Sequence, residues 1–251
     1  MWGIVPAAGS GSRIQPLAFS KELLPVGSQI TGSTLRPRAV SEYLVERMVL
    51  AGVKKICFVI SPAKSDIMRY YGHGSSEVSY CYTVQPKPSG LCDAVFRGLP
   101  FIADDERVII GLPDTVWFPE NALCALPDSD LSLLLFPVEQ PQFYDAVVMD
   151  NAGMVSEIVV KQRQNRSNLI WGAMKMNGII LKKLFQIWSK PENQDEYLGT
   201  LINKFLHEGG TVKGVNAGKT YVDVGTVNGY HEAMQILNGS STVSNLQEHS
   251  V

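Results

Sequence analysis

The sequence has little net charge, few cysteines and no long apolar run. Lys and Arg number 22 against 24 Asp and Glu, a formal charge of −2, so the chain lacks the basic excess of proteins that coat DNA or RNA. Its longest apolar stretches, such as 131–138, are far shorter than the roughly 18 residues that a membrane-spanning helix needs. The N-terminus enters an apolar run without a basic segment and does not indicate a signal peptide. These absences argue against membrane, secreted and nucleic-acid-coating proteins.

The cysteines and histidines are too dispersed to indicate a zinc site or a disulfide scaffold. No two of the four cysteines form a CxxC pair, and the four histidines lie at wide spacings. The cysteines lie among apolar residues, which predicts that all four are buried and reduced in a cytoplasmic protein. They are Cys57, Cys81, Cys92 and Cys124.

The first half of the chain alternates strand-like and helix-like segments. Hydrophobic residues make up 45% and charged residues 18%, a balance typical of a globular chain. Strands are predicted at 2–7, 54–60, 79–84, 107–112 and 131–137. Helices are predicted at 37–51, at 61–71 and from residue 90 onward. This alternation favours an α/β fold with a mixed, mainly parallel central sheet flanked by helices, as in Rossmann-like proteins.

The second half is less regular. A hairpin is predicted where 146–149 and 155–160 flank the turn sequence Asp-Asn-Ala-Gly. Further strands are predicted at 171–176, 212–215 and 220–223, and further helices at 179–188, 197–207 and 228–237. No linker or repeat divides the chain, so one domain is expected over 1–238, followed by a Ser- and Asn-rich flexible tail at 239–251.

The first strand runs into a glycine-rich loop that is followed by two cations. Gly9 and Gly11, with Ser10 between them, allow a turn that points backbone N–H groups at one anion. Arg13 and Lys21 follow and would offset the charge of a triphosphate. The loop matches neither GxxxxGK[ST] nor GxGxxG. It favours a phosphate site, with a glycine-rich surface turn as the alternative.

The segment GSGSRIQPLAFSKELLPVG resembles the signature G-x-G-[ST]-R-x-x-P followed by K-x-x-x-P-V of the sugar-nucleotide pyrophosphorylases. The pattern is most similar to those of glucose-1-phosphate thymidylyltransferases and uridylyltransferases, and the resemblance extends over residues 2–235. It implies a single nucleotidyltransferase-type domain in which Arg13 and Lys21 contact the phosphates near the bond that breaks. It also implies that the triphosphate is held by Ala8, Gly9, Ser10 and Gly11.

A second motif concerns the base. QPKPSGLCDA at 85–94 resembles the family's Q-P-x-P-x-G-L-A-x-A, in which the glutamine and the glycine read the edge of uracil or thymine. The corresponding residues here are Gln85 and Gly90. A glutamine amide offers both a donor and an acceptor to an imide edge. Without the resemblance, the segment is a strand-to-helix loop with two prolines.

Two further motifs imply a Mg²⁺ site. IIGLPDT at 109–115 and YVDVGT at 221–226 resemble family elements whose aspartates, here Asp114 and Asp223, bind the metal. Asp114 is also expected to contact the nucleotide. Mg²⁺ accepts one or two carboxylates together with phosphate oxygens and water. Either aspartate alone would be a turn cap, but with the loop motifs they predict one shared metal site at two exposed, mutually repelling strand ends.

The sugar side matches the family less well. The family's E-K-P segment falls on VVKQ at 159–162, which keeps Lys161 as the contact to the sugar phosphate but has valine in place of the acid. Glu157 is predicted as the displaced acid, with a solvated strand residue as the alternative. Gly172 is expected to let the hexose lie close to the backbone. The segment 28–37 is longer and more polar than the usual connection, and the sequence assigns it no role.

The resemblance implies an enzyme that converts a pyrimidine nucleoside triphosphate, UTP or dTTP, and a sugar 1-phosphate, such as glucose 1-phosphate, into a nucleotide sugar and pyrophosphate. Relatives are commonly homo-oligomers, so a homo-oligomer is one alternative, but the sequence does not report the oligomeric state. Three alternatives stay open: a catalytically silent nucleotide-sugar sensor, a cytidylyltransferase for another alcohol phosphate, and a Rossmann oxidoreductase. The sequence names neither the sugar nor the base. Lys64, which follows Ser61 and Pro62, is predicted to be solvated and uninvolved.

Overall fold

A mixed sheet of nine strands forms the centre of the protein. The computed structural model describes residues 1–162 and 166–245. The strands are β1 Trp2–Pro6, β2 Pro25–Thr31, β3 Thr34–Ala39, β4 Lys55–Ile60, β5 Ser79–Val84, β6 Arg107–Gly111, β7 Thr115–Phe118, β8 Leu131–Pro137, β9 Asp145–Met149, β10 Val155–Val160, β11 Leu169–Asn177, β12 Val212–Val215 and β13 Thr220–Asp223. The helices are α1 Val40–Leu50, α2 Ser65–Tyr71, α3 Gly90–Phe96, α4 Gly178–Trp188, α5 Leu198–His207 and α6 Val227–Asn245.

The parallel part of the sheet has the strand order β5-β4-β1-β6. Its strands are apolar along most of their length because helices cover both faces. Beyond β6 the sheet continues through the antiparallel strand β11 to β8, and β12 pairs with β8 in parallel. The hairpin β9-β10 joins β11 through the pair Ile170 and Ala146. The predicted α/β domain with a mixed central sheet is therefore confirmed.

Alternate residues of each central strand enter two separate cores, as the two-residue period of a strand requires. Ile4 and Ile110 pack toward α3, α4 and α5. Val5 and Ile109 pack on the other face, toward α1 and α2. A third apolar cluster, which includes Val26 of β2 and Ala233 of α6, fixes the small sheets against the closing helix. These cores leave the carboxyl edge of the parallel strands open.

Several predicted elements differ from the observed ones. The helix predicted at 37–51 begins at Val40, because Thr34–Ala39 pairs with Pro25–Thr31 in a separate hairpin. The polar segment 28–37 thus forms most of this hairpin. β7 was not predicted, and the closing helix, expected to end at Leu237, continues to Asn245. Residues 246–251 lie outside the described part, so the flexible tail stays a prediction.

The cysteine prediction holds only in part. Cys57 and Cys92 are buried, Cys81 is half-buried and Cys124 is exposed. Cys124 belongs to a short 3₁₀ turn, Ala122–Ala125, at the surface beside the end of α1, where its thiol lies 3.6 Å from the carbonyl oxygen of Leu50. No helix within the described residues is long and apolar enough to cross a membrane.

Candidate active site

One cavity of about 980 Å³ opens at the carboxyl edge of the parallel strands. Open α/β sheets place their ligands at this edge. The structure brings together, on its walls, most of the residues that the sequence singled out. They are Ala8, Gly9, Arg13, Lys21, Gln85, Gly90, Asp114, Lys161 and Asp223.

The glycine-rich loop begins directly at the end of β1. Ala8 and Gly9 line the cavity, whereas Ser10 and Gly11 do not. Gly11 has φ +68°, and a Cβ there would stand 2.9 Å from Cδ of Lys21. A side chain at position 11 would therefore be strained and would push against the lysine stem. The glycine lets the loop fold back over Lys21, while Gly9 presents backbone to the cavity.

Two ion pairs join the predicted cations to the predicted metal ligands. Arg13 Nη1 lies 2.8 Å from Asp223 Oδ2, and Lys21 Nζ lies 2.5 Å from Asp114 Oδ2. The Lys21 side chain is only 13% exposed, whereas that of Arg13 is 60% exposed. The expected pair of mutually repelling, exposed carboxylates is wrong, because each aspartate is neutralised by a cation.

Lys21 and Asp114 shift each other's pKa values. Burial lowers the pKa of Lys21, but the Asp114 carboxylate outweighs it and leaves the pKa raised. Burial likewise raises the pKa of Asp114, while the Lys21 ammonium prevails and lowers it below its usual value. Both groups are therefore charged at neutral pH. The cluster therefore pairs two cations with two anions.

The two aspartates converge although 109 positions separate them in the sequence. β7 and β13 pair antiparallel with Thr115 opposite Asp223, which places Asp114 beside the end of β13. An added Cβ on Gly225 would stand 2.8 Å from Asp223 Oδ1 and 3.0 Å from Asp114 Oδ2. Both carboxylates thus face one small space that only a glycine leaves open.

This donor set fits Mg²⁺ that is completed by a substrate. Within the described residues, no group of three or more His, Cys, Asp or Glu side chains forms a metal cage. Two carboxylates are a sufficient protein contribution for Mg²⁺, which keeps several waters and takes phosphate oxygens as further ligands. Asp114 and Asp223 are therefore the residues that would hold the metal.

Gln85 directly follows β5 and is 3% exposed. Its Nε2 donates to the carbonyl oxygen of Gly90 at 3.0 Å and to Asp93 Oδ2 at 2.9 Å. Both N–H groups of the amide are thereby used within the protein. The carbonyl oxygen of the side chain is left to accept a hydrogen bond from a ligand.

Gly90 begins α3 with φ +88°. A Cβ there would lie 2.4 Å from the Cβ of Glu196 and 2.7 Å from its Cα. The backbone N–H groups of Leu91 and Cys92 point at the carbonyl oxygen of Glu196, at 3.1 and 3.4 Å. Gly90 thus allows the start of α3 to dock on the segment that precedes α5.

Of the sugar-side candidates, Lys161 alone lines the cavity. Its Nζ lies 4.5 Å from the centroid of the Tyr197 ring, which also lines it. Glu157 forms an ion pair with Arg166 and is not among the lining residues. A Cβ on Gly172 would stand 2.6 Å from the Phe136 ring and 2.8 Å from that of Tyr221. The structure thus gives Gly172 a packing role behind the wall.

Sequence reasoning missed two residues beside this cavity. Lys64 is buried, with Nζ 2.8 Å from both carboxylate oxygens of Glu22 and from the carbonyl oxygen of Ala7. The prediction that Lys64 is solvated is wrong, because the turn before α2 packs under the phosphate loop. Glu22 lines the cavity, and burial raises its pKa despite the neighbouring Lys64. No local pattern marked this pair, since its members are 42 positions apart.

Asp145 was also missed. It lies at the start of β9 and lines the cavity near Trp171, whose Nε1 lies 3.4 Å from Asp145 Oδ2. The hairpin predicted at 146–149 and 155–160 stops one residue short of it, and the observed register places Asp145 directly opposite Val160. Burial raises the pKa of the Asp145 carboxyl.

Comparisons with known proteins bear on the fold and on the family of this chain. A glucose-1-phosphate thymidylyltransferase of Neisseria meningitidis is 26% identical, over 98% of this chain and 85% of its own length. A UTP–glucose-1-phosphate uridylyltransferase of Haloferax volcanii is 24% identical, over 96% of this chain and 98% of its own. The solved structure of a UTP-bound UGPase from Acinetobacter baumannii shares the fold, with a TM-score of 0.78, 21% identity and 99% coverage of both chains. The model of the nucleotidyl transferase family matches residues 2–239, and the chain belongs to that family.

Proposed function

We propose that this protein transfers a nucleotidyl group from a pyrimidine nucleoside triphosphate to a sugar 1-phosphate and releases pyrophosphate. Glucose 1-phosphate is the acceptor that the names of its relatives favour. One observation carries the proposal: Arg13, Lys21, Asp114 and Asp223 form one charged cluster in a cavity that also contains Gln85 and Lys161. This is the arrangement needed to bring a triphosphate, a base and a second phosphate together.

The chemistry requires positioning and charge neutralisation more than proton transfer. An oxygen of the sugar phosphate, already anionic at neutral pH, attacks the α-phosphorus in line with the bond to the β-phosphate. The new P–O bond forms as that bond breaks, and its electron pair leaves on pyrophosphate. Arg13 and Lys21 stabilise the charge that builds on the leaving group. Lys161 holds the attacking phosphate at the other end of the cavity.

The metal belongs to the proposal as well. When bound by Asp114 and Asp223, Mg²⁺ supplies Lewis-acid polarisation of phosphate oxygens and offsets the repulsion between two anionic substrates. Lys21 and Arg13 would then contact phosphate oxygens in place of the aspartates. The ion pairs with Asp223 and Asp114 therefore hold both cations in place for the substrate.

The hydrogen bonds of Gln85 support a uracil or thymine base. Its side-chain carbonyl oxygen is the free end of the amide, and it accepts from the N3–H group of either base. Cytosine carries an acceptor at the same ring position, so its lone pair would face that oxygen. This argument favours UTP or dTTP over CTP, while UTP and dTTP stay alternatives. A cytoplasmic location and a homo-oligomeric state likewise stay predictions.

The experiment is pyrophosphate release from each common NTP, with and without hexose 1-phosphates, in the presence of Mg²⁺. The expected result is release that requires both UTP or dTTP and a sugar 1-phosphate. Lys21→Gln should abolish most of it, whereas Asp105→Asn, an exposed aspartate outside the cavity, should not. Tight nucleotide-sugar binding without turnover would instead indicate a sensor. Release with CTP and a non-sugar alcohol phosphate would indicate a cytidylyltransferase.

A further inference from the structure

An acidic residue of a neighbouring strand lies beside the position where the sugar-side motif has valine in place of the family's acid. The family segment resembled by VVKQ has an acidic residue before its lysine, and Val160 occupies that position here. β9 and β10 pair antiparallel, and Asp145 lies directly opposite Val160. Side chains directly opposite each other in an antiparallel pair lie on the same face of the sheet. The neighbouring strand therefore supplies a carboxylate to the face that Val160 leaves without one.

One oxygen of this carboxylate is fixed by the protein. Asp145 Oδ2 lies 3.4 Å from the indole nitrogen of Trp171, and the backbone N–H of Gly199, in the first turn of α5, also donates to the carboxylate. A Cβ on Gly199 would lie 3.0 Å from the same oxygen. A carboxylate at a helix N-terminus is favourably placed. These contacts hold the side chain in one orientation.

The other oxygen has no partner. Asp145 Oδ1 is buried and accepts no hydrogen bond from any described residue. A buried polar atom without a partner costs free energy, and the cost is higher for a charged group. Asp145 nevertheless lines the cavity, beside Trp171 and close to Lys161, whose backbone N–H donates to the carbonyl oxygen of the adjacent Tyr144. The free oxygen is thus an acceptor that the fold holds in place without using it.

We propose that Asp145 is a specificity-determining residue that accepts a hydrogen bond from a ring hydroxyl of the sugar 1-phosphate. The inference rests on the proposed function and names the side chain that reads the acceptor in this chain. Lys161 then neutralises the phosphate, while Asp145 accepts a hydrogen bond from the sugar ring next to it. A sugar without that hydroxyl leaves Asp145 Oδ1 unpaired and binds less well. Sites that hydrogen-bond a substrate hydroxyl generally discriminate against analogues that lack it.

The experiment compares the best sugar 1-phosphate with its monodeoxy analogues, in the parental protein and in Asp145→Ala. In the parent, one analogue should lose at least about tenfold in kcat/KM. In Asp145→Ala the KM for the full sugar should rise, the KM for the NTP should stay, and the penalty for that analogue should largely vanish. Asp145→Leu, which is similar in size and has no hydrogen-bond acceptor, gives the same comparison if the alanine variant does not fold. Asp105→Asn is the surface control.

The outcomes separate the inference from the function on which it rests. If the parent releases pyrophosphate but Asp145→Ala and Asp145→Leu keep every deoxy penalty, Asp145 only caps α5 and the inference is wrong while the function stands. If Glu157→Gln erases the penalty instead, the displaced acid is Glu157, and the inference is again wrong. If the parent releases no pyrophosphate with any NTP and sugar pair, the proposed function fails and the inference fails with it.

Discussion

Lys64 and Glu22 form a buried ion pair under the phosphate loop. Their side chains are 10% and 2% exposed, and Lys64 also donates to the carbonyl oxygen of Ala7, where the loop begins. Lys64→Ala would leave the Glu22 carboxylate unpaired, and we expect a loss of about 3–5 kcal/mol in the free energy of unfolding near neutral pH. The measurement is urea unfolding, with the exposed Lys54→Ala as control.

The pH dependence of this loss has a definite sign. Burial raises the pKa of Glu22, which Lys64 partly opposes. In Lys64→Ala the opposition is gone, so the folded state keeps the Glu22 proton where the unfolded state has lost it. Stability must then fall as pH rises through that window. The deficit of the variant should be small near pH 4.5, the usual value for the group, and should grow as the pH rises from there. A deficit that is constant with pH would contradict this model.

Gln85 should determine base selectivity more than turnover. Because its Nε2 is fixed by Gly90 and Asp93, Gln85→Ala removes one acceptor for the base without removing a phosphate contact. The preference for UTP over CTP should fall by about 1–3 kcal/mol, with a smaller change in kcat for UTP. Steady-state kinetics with both nucleotides measure it.

Two further variants test the orientation of Gln85. Asp93→Asn should shift the preference in the same direction, because Asp93 orients the amide. Gln29→Ala, whose side chain pairs with Glu42 outside the cavity, is the matched control. An unchanged preference for UTP in Gln85→Ala would remove Gln85 from the base site.

The contact between α3 and the segment before α5 joins the nucleotide and sugar sides of the cavity. In Gly90→Ala the alanine would have to adopt φ +88°, and its methyl group would collide with the backbone of Glu196. Gly32→Ala is a matched control, since Gly32 has φ +63° and no atom within 4 Å of a built Cβ. The control should cost about 1 kcal/mol of backbone strain.

Gly90→Ala should cost clearly more than Gly32→Ala and should also raise KM for both substrates, because Glu196 must move. Thermal unfolding and initial rates of both variants measure the difference. Equal stability losses in the two variants would show that the contact at Glu196 yields without cost.

Among the secondary-structure elements, the sequence predicts most strands of the central sheet well and the hairpin β2-β3 poorly. β5, β8, β10, β12 and β13 have the predicted bounds, because each carries apolar or aromatic side chains between turn-forming residues. The hairpin β2-β3 is mostly polar and carries Pro37, so its composition indicates a helix start as readily as an edge strand. Its pairing depends on contacts with α1 and α6, which no local pattern encodes.

The residues of the candidate site likewise divide into those that the sequence could predict and those that it could not. Asp114 and Asp223 could be predicted, because each follows a strand and both motifs resemble those of a known family. The pairing of each aspartate with a cation could not, since it depends on how the loop after β1 folds over the sheet. Asp145 was missed for a related reason: a residue facing the cavity from a neighbouring strand is visible only once the register is known. A local sequence pattern indicates which residues carry the chemistry, and the assembled sheet determines which of their side chains lie in the same cavity.

The charged cluster is a property of the whole molecule, because its members come from the loop after β1 and the ends of β6 and β13. If Asp114 and Asp223 share one Mg²⁺, each Asp→Asn variant should lose most of kcat at saturating Mg²⁺. The double variant should lose little more, since residues that act as a unit are not additive. Near-parental turnover in either single variant would rule out a shared metal.

The stability of the same variants in EDTA should separate the two ion pairs. Asp114→Asn leaves the largely buried Lys21 ammonium without its carboxylate, so its thermal midpoint should fall. Asp223→Asn frees Arg13, whose side chain is 60% exposed and readily solvated, so its midpoint should change little. A stabilised Asp114→Asn protein would mean that repulsion between the aspartates outweighs the Lys21 contact. The pairs would then not hold the cations in place, and the substrate itself would have to assemble the phosphate site.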